Sequence, residues 1–276
     1  MIELPEAHTL AHQLTVACAG RTVTFVEAAH TQHGFAFYHD DPVAYPAILG
    51  GKTVNGVQAF GGRIEMCIGD AQLVFNDGAR LHHLTADAKR PDKHQLLMEF
   101  DDGTGLYCTV QMYAGIIAHF VGEPMGMYAD VAHEKPSPLT DAFDRDYFES
   151  LFDGIKPSLS AKALLATEQR IPGLGNGVLQ DILWHARIHP KAKALALTGD
   201  QRDELYRSVK DTLRTMTDQN GRDTEKDLYG NPGGYKTILS SKTLAWPCRR
   251  CGSGITRQAY LGGNVYFCAK CQALSN

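Results

Sequence analysis

Four cysteines in the last thirty residues constrain the chain more than any other feature. Cys248 and Cys251 form one Cys-x-x-Cys unit, and Cys268 and Cys271 form a second after a gap of sixteen residues. Two intervening residues let both sulfurs of a unit turn to one side of a tight knuckle. Two facing knuckles make a tetrahedral thiolate cage, which predicts one structural Zn2+ ion. The gap carries Gly254, Gly262 and Gly263 and the β-formers Val265, Tyr266 and Phe267. It reads as a hairpin that closes the cage. Two disulfides would need an oxidising compartment, and a redox dithiol pair fits two such units at this gap less well than a cage does.

The rest of the composition sets bounds. A chain of 276 residues has room for two domains besides a small zinc module. It has no run of eighteen apolar residues, so no membrane-spanning helix is expected. Met1–Glu6 holds two acids and no base, unlike a signal peptide, and Cys18, Cys67 and Cys108 are scattered. A cytoplasmic protein with buried, reduced thiols is the expectation. The net charge of −4 is unevenly spread: residues 1–130 carry 7 Lys+Arg against 15 Asp+Glu, and residues 131–276 carry 20 against 16. Any attraction to a phosphate backbone therefore comes mostly from the second half.

Hydrophobic spacing at Leu4, Leu10, Leu14 and Ala17/Cys18 predicts an amphipathic helix over 4–19, ended by Gly20. Short β-rich runs follow at 21–28, 34–39, 53–60, 63–68, 71–75, 95–100 and 105–112. Turn chemistry separates them at Gly61-Gly62, Gly69-Asp70, Asn76-Asp77-Gly78 and Asp101-Asp102-Gly103. Residues 124–138 read as a linker. Helices are predicted over 141–152, 158–166, 176–186 and 200–217, with Pro172-Gly173-Leu174-Gly175 as a sharp turn between the second and third. Residues 221–243, rich in Gly, Lys and Ser, read as a mobile loop. His30–His39 contains three histidines, none paired at a metal-binding spacing, and reads as an exposed strand or loop. Trp184 and Trp246 read as core anchors. The expected fold is α+β and multidomain: an N-terminal antiparallel β-sandwich with a flanking helix (1–130), a helical domain (131–243) and the zinc hairpin (244–276).

Three motifs in order resemble one family. Glu3-Leu4-Pro5-Glu6 resembles the N-terminal signature of the formamidopyrimidine-DNA glycosylase / endonuclease VIII family. Pro172-Gly173-Leu174-Gly175-Asn176, followed by Ile188-His189-Pro190, resembles its helix–two-turn–helix element, and Cys248–Gln272 resembles its terminal zinc finger. The resemblance implies a bilobal protein that grips double-stranded or damaged DNA between its lobes, acts as a monomer, and has DNA N-glycosylase and AP lyase activity. In that family an N-terminal proline amine attacks C1′ of the damaged nucleotide and the next glutamate shuttles protons.

The resemblance also has gaps. Ile2 stands in place of the proline, so the free amine is expected to be that of Met1, and a useful fraction of any α-amine is neutral at pH 7. The hairpin lysine of the family falls at Gly61-Gly62, with Arg63 beside it. Its wedge residues fall near Gly78, Met112 and Tyr113, and its finger arginine falls at Gly263. The catalytic candidates are therefore Met1, Ile2, Glu3 and Glu6. The DNA-binding candidates are Gly175 and Asn176 at a helix N-terminus, the basic Lys162, Arg80 after the Asn76–Gly78 turn, and Asn264 at the finger tip. Base-excision repair with altered or weakened chemistry is the expected function, and non-catalytic recognition of abasic or damaged DNA is the alternative.

Overall fold

The computed structural model describes residues 1–123 and 127–274. The chain opens with helix α1 (Leu4–Cys18), whose apolar spacing splits between two cores. Leu10 and Leu14 enter the first, and Leu4 enters the second. Gly20, at φ +80°, turns the chain out of the helix.

Nine strands follow: β1 (Val23–Ala28), β2 (Ala36–Phe37), β3 (Val54–Phe60), β4 (Arg63–Ile68), β5 (Ala71–Asn76), β6 (Ala79–Leu84), β7 (Leu96–Phe100), β8 (Gly105–Val110) and β9 (Ala114–Phe120). A short helix α2 (Tyr45–Leu49) lies between β2 and β3. The strands form a four-stranded sheet in the order β1-β7-β8-β6 and a five-stranded sheet in the order β2-β9-β5-β4-β3. Ile64, Met66, Leu73, Phe75, Leu96 and Met98 from both sheets fill the core between them. The expected sandwich is therefore present, with one departure: β2 pairs with β9 in parallel. Two strands escape the sequence pattern. In β9 both faces are largely buried, which removes the alternation that marks a strand, and β6 carries His82 and His83 in its second half.

Helix α3 (Met127–Glu134) replaces part of the expected linker, and residues 124–126 of that linker lie outside the described residues. Helices α4 (Arg145–Ser150), α5 (Ala161–Ala166), α6 (Asn176–His185) and α7 (Gly199–Asp218) enclose the second core around Phe143, Phe148, Leu179 and Leu213. The first two are shorter than expected because their caps sit later in the sequence. Asp144 accepts the Tyr147 N–H at 2.8 Å, and Ser160 accepts the Ala163 N–H at 3.2 Å. The last hairpin, β10 (Thr256–Tyr260) and β11 (Gly263–Phe267), packs with the four cysteines against Trp184 and Leu239. Trp184 is thus a core anchor, whereas Trp246 is exposed, against expectation. Among the described residues no helix is long and apolar enough to cross a membrane.

The β-sandwich and the helical unit meet backbone to backbone. The β3–β4 turn, Gly61-Gly62, lies against Pro172-Gly173. A Cβ on Gly173 would sit 2.3 Å from the Gly61 carbonyl carbon and 2.4 Å from the Gly62 nitrogen. Gly173 also holds φ +77°, a region costly for any L side chain. Substituting Gly173→Ala should lower stability by about 2–4 kcal/mol, combining overpacking with backbone strain. Gly20→Ala pays only the strain, about 1–2 kcal/mol, because nothing lies within 4 Å of its Cβ position. Urea midpoints check the ordering, and an equal loss in both variants would mean that the two loops are not packed together.

Candidate active site and nucleic-acid interface

The site is built where the chain start meets residues far along the sequence. The Ile2 N–H donates to the Asp77 carbonyl at 2.6 Å, and the Leu4 N–H donates to the Gly173 carbonyl at 2.9 Å. The first residues are therefore pinned to the β5–β6 turn on one side and to the helical unit on the other. Ile2 itself is buried in the first core, so its role is packing. The Met1 amine emerges at the rim and contacts the Glu225 carboxylate at 2.6 Å. Beside it lies a pocket of about 160 Å³, lined in part by Met1, Arg80, His82, Gln111, Glu225 and Lys226. Arg80 and Lys226 are exposed, and among the described residues neither forms an ion pair. Arg80, expected on loop position, is the second residue of β6 and lines this pocket. Glu225 and Lys226 were missed because the segment holding them read as a mobile loop.

That segment is anchored. Arg222 is buried, and its Nε and Nη2 donate to the two oxygens of Glu6 at 3.0 and 2.7 Å. Its Nη1 lies 3.5 Å from Glu3. Burial alone would lower the Arg222 pKa, but the two glutamates outweigh it and hold the guanidinium charged. Glu6 is therefore the partner of a buried cation and has no free oxygen for chemistry at the amine.

Glu3 is also committed. Its two oxygens accept the Gly177 and Val178 N–H groups, both at 2.8 Å, so it caps α6 from a distant part of the chain. Burial pushes its carboxyl above the usual range, against the pull of Arg222 and of those donors. This arrangement corrects the reading of Gly175. A Cβ there would lie 2.6 Å from the Glu3 carboxyl, so its missing side chain makes room for an internal carboxylate. Gly177 does the same for Arg222, whose Nη1 occupies its Cβ position at 1.6 Å.

The finger docks on α6 through polar contacts. Asn176 Nδ2 and Gln180 Nε2 donate to the Asn264 carbonyl at 3.0 and 3.2 Å, and the Tyr266 N–H donates to Gln180 at 3.0 Å. Asn176 Oδ1 is buried and has no hydrogen-bond partner among the described residues. Asn176 and Asn264 are thus brought together at the contact between finger and helix. Lys162 is buried and donates to the Tyr260 carbonyl at 2.6 Å, so it braces the hairpin and is not a free phosphate contact. Burial lowers its pKa accordingly. Buried Asp181 accepts the Ile238 and Leu239 N–H groups, both at 2.8 Å, and burial pushes its carboxyl up to about 6.

The four cysteine sulfurs all lie within 4.8 Å of one another, with Sγ–Sγ distances of 3.9 Å for Cys248–Cys271 and 3.4 Å for Cys251–Cys268. A tetrahedron with 2.3 Å metal–sulfur bonds has edges of about 3.8 Å, so the donor set fits one metal ion. Trp184 Nε1 points at Cys248 Sγ at 3.4 Å, an outer contact suited to a thiolate. A separate cavity of about 630 Å³ lies between α7 and the approach to the finger, lined in part by His185, Ser208, Tyr235, Lys236 and Arg250.

Where the resemblance leaves gaps, backbone contacts explain two of them. A Cβ on Gly61 would meet Pro172 at 2.7 Å, and one on Gly78 would lie 1.9 Å from the Gln111 carbonyl oxygen. Neither position can carry a side chain in this packing. Met112 and Tyr113 remain exposed at the β8–β9 turn.

Comparison with known proteins supports the same grouping. The formamidopyrimidine-DNA glycosylase H2TH domain matches residues 135–226. A formamidopyrimidine-DNA glycosylase of Lactobacillus delbrueckii subsp. bulgaricus is 28% identical over 99% of both chains. That of Symbiobacterium thermophilum is 28% identical over 99% of this chain and 89% of the relative. Among solved structures, Lactococcus lactis Fpg in complex with abasic-site DNA superposes with a TM-score of 0.84 at 24% identity, covering 98% of this chain and 99% of that one. MutM in complex with DNA containing carbocyclic 8-oxo-G superposes with a TM-score of 0.83 at 25% identity, with the same coverage.

Replacing Arg222 with methionine strips two buried carboxylates of their counter-charge. Arg222→Met should lower stability by about 3–5 kcal/mol. Adding Glu6→Gln should recover part of that loss, because one stranded charge goes with it. Denaturant unfolding of the single and double variants measures both, and a strictly additive double variant would contradict the coupling.

Proposed function

We propose that this chain, which belongs to the formamidopyrimidine-DNA glycosylase family, binds damaged double-stranded DNA as a monomer and releases the altered base through the primary amine of Met1. The observation that carries this reading is the 2.6 Å contact between that amine and the Glu225 carboxylate beside an open pocket. A carboxylate so placed can take the ammonium proton and leave the nitrogen lone pair for C1′ of the nucleotide. The new N–C1′ bond forms as the bond from C1′ to the base breaks. Glu225 can return its proton to the departing base. One N–H proton of the attached nitrogen then passes to the ring oxygen O4′ as the C1′–O4′ bond breaks, which leaves a free hydroxyl and a protonated imine between Met1 and C1′.

The remaining residues divide between grip and position. Exposed Arg80 and Lys226 flank the pocket and suit phosphate contacts. Exposed Met112 and Tyr113 form an apolar tip for the space left by an extruded base. Glu3 acts as a positioning residue, because it fixes α6 and through it the finger. The working units are 1–130, 131–243 and 244–276, and the cysteine cage holds one structural Zn2+, with Trp184 supporting Cys248. A cytoplasmic setting suits Cys18, Cys67 and Cys108, which are all free. The abasic-site DNA and the carbocyclic 8-oxo-G DNA held by the structural relatives support a lesion-containing duplex as the substrate class.

A second reading, binding without chemistry, draws on the two occupied oxygens of Glu3 and on the absence of any amine at Gly61-Gly62. One experiment separates the two. Incubation with abasic-site duplex and borohydride should trap a covalent adduct at Met1. Glu225→Gln should reduce the adduct yield by about tenfold or more, within the usual size of general acid–base catalysis, while leaving DNA affinity nearly unchanged. Binding without any adduct from the unaltered protein would decide for the second reading.

A further inference from the structure

We infer that Glu27, His30 and His94 form a second metal-ion site, at the end of the β1–β7 pair, for a divalent transition ion such as Zn2+. The three side chains offer ligand atoms that all lie within 4.8 Å of one another. Beyond the paired strands, the Ala29 N–H donates to the Gln95 carbonyl at 2.8 Å and the Thr31 N–H donates to the His94 carbonyl at 2.9 Å. This extension of the ladder brings His30 beside His94, which lies in a different part of the sequence. Spacing within His30–His39 could not reveal it.

Hydrogen bonding at His94 points to a cation. Its Nδ1 lies 3.0 Å from the Pro91 carbonyl oxygen, which can only accept, so Nδ1 carries the proton. In the neutral ring Nε2 then presents a lone pair, and it faces the Glu27 carboxylate at 3.1 Å. Two acceptors at that distance repel unless a positive ion, a proton or a metal, sits between them. Glu27 reaches His30 Nδ1 with its other oxygen, at 3.2 Å. The backbone-bonded His94 ring is the arrangement that fixes a metal-ligating histidine in its tautomer and orientation. His94 is 2% exposed and cannot swing away.

Part of the site is preformed. The two rings stack with centroids 4.5 Å apart and planes 8° apart, so their in-plane lone pairs do not converge on one point. Half-exposed His30 turns out of the stack on binding, and His94 and Glu27 stay in place. Two imidazoles and a carboxylate, with water in a fourth position, make a donor set suited to zinc and its neighbours in the transition series.

Native mass spectrometry of the full chain equilibrated with zinc should find two ions per chain, one in the cysteine cage and one here. His30→Ala and Glu27→Gln should each weaken the second site by about tenfold or more and leave the first intact. With Co2+, filling the second site should add ligand-field absorption without further thiolate-to-metal charge transfer. Binding of a single ion would overturn the inference. So would a second ion that both variants retain, which would be adventitious, and so would a second ion that brings new thiolate absorption.

Discussion

Two buried carboxylates share one guanidinium at the centre of this molecule, and the rest of the structure is arranged to make that tolerable. Glu6 takes the geometry of a paired ion with Arg222. Glu3 takes the remainder of its compensation from the N-terminus of α6, whose unpaired N–H groups and dipole favour negative charge. The cluster ties α1, α6 and the segment after α7 into one unit. It also sets local composition, because Gly175 and Gly177 must lack side chains where the Glu3 carboxyl and the Arg222 guanidinium pass. Gly175, which read as an invitation to an external phosphate, instead makes room for an internal carboxylate.

Features carried by short-range chemistry were legible in the sequence. The cysteine spacing marked the cage, the apolar periods marked α1 and α7, and the turn residues marked most hairpins. Features made by distant pairs were not. Arg222 sits in a stretch whose Gly and Lys content suggests mobility, and its order comes from Glu6, 216 positions away. His94 joins His30 only through the β1–β7 register. The strand β9 was hidden by its burial on both faces. Lys162 read as a DNA-binding candidate because nothing in its neighbourhood announces that its amine will donate to the Tyr260 carbonyl.

The gaps in the family resemblance belong together. Gly61 and Gly78 lie where backbone from elsewhere fills the space of a side chain, and Ile2 is drawn into the sandwich core next to them. Restoring one missing side chain alone would force its neighbours apart. The N-terminal site is thus a repacked alternative in which the amine, Glu225, Arg80 and Lys226 line the remaining opening.

The sequence separation of the central cluster also bears on how the molecule is made. Glu6 leaves the ribosome 216 residues before Arg222 does, and Glu3 slightly earlier still. At ordinary rates of synthesis that delay is roughly ten to forty seconds. The β-sandwich is complete in sequence about halfway through that interval, while the start of α1 still carries two acids without their cation. The first residues made are therefore among the last to reach their final environment.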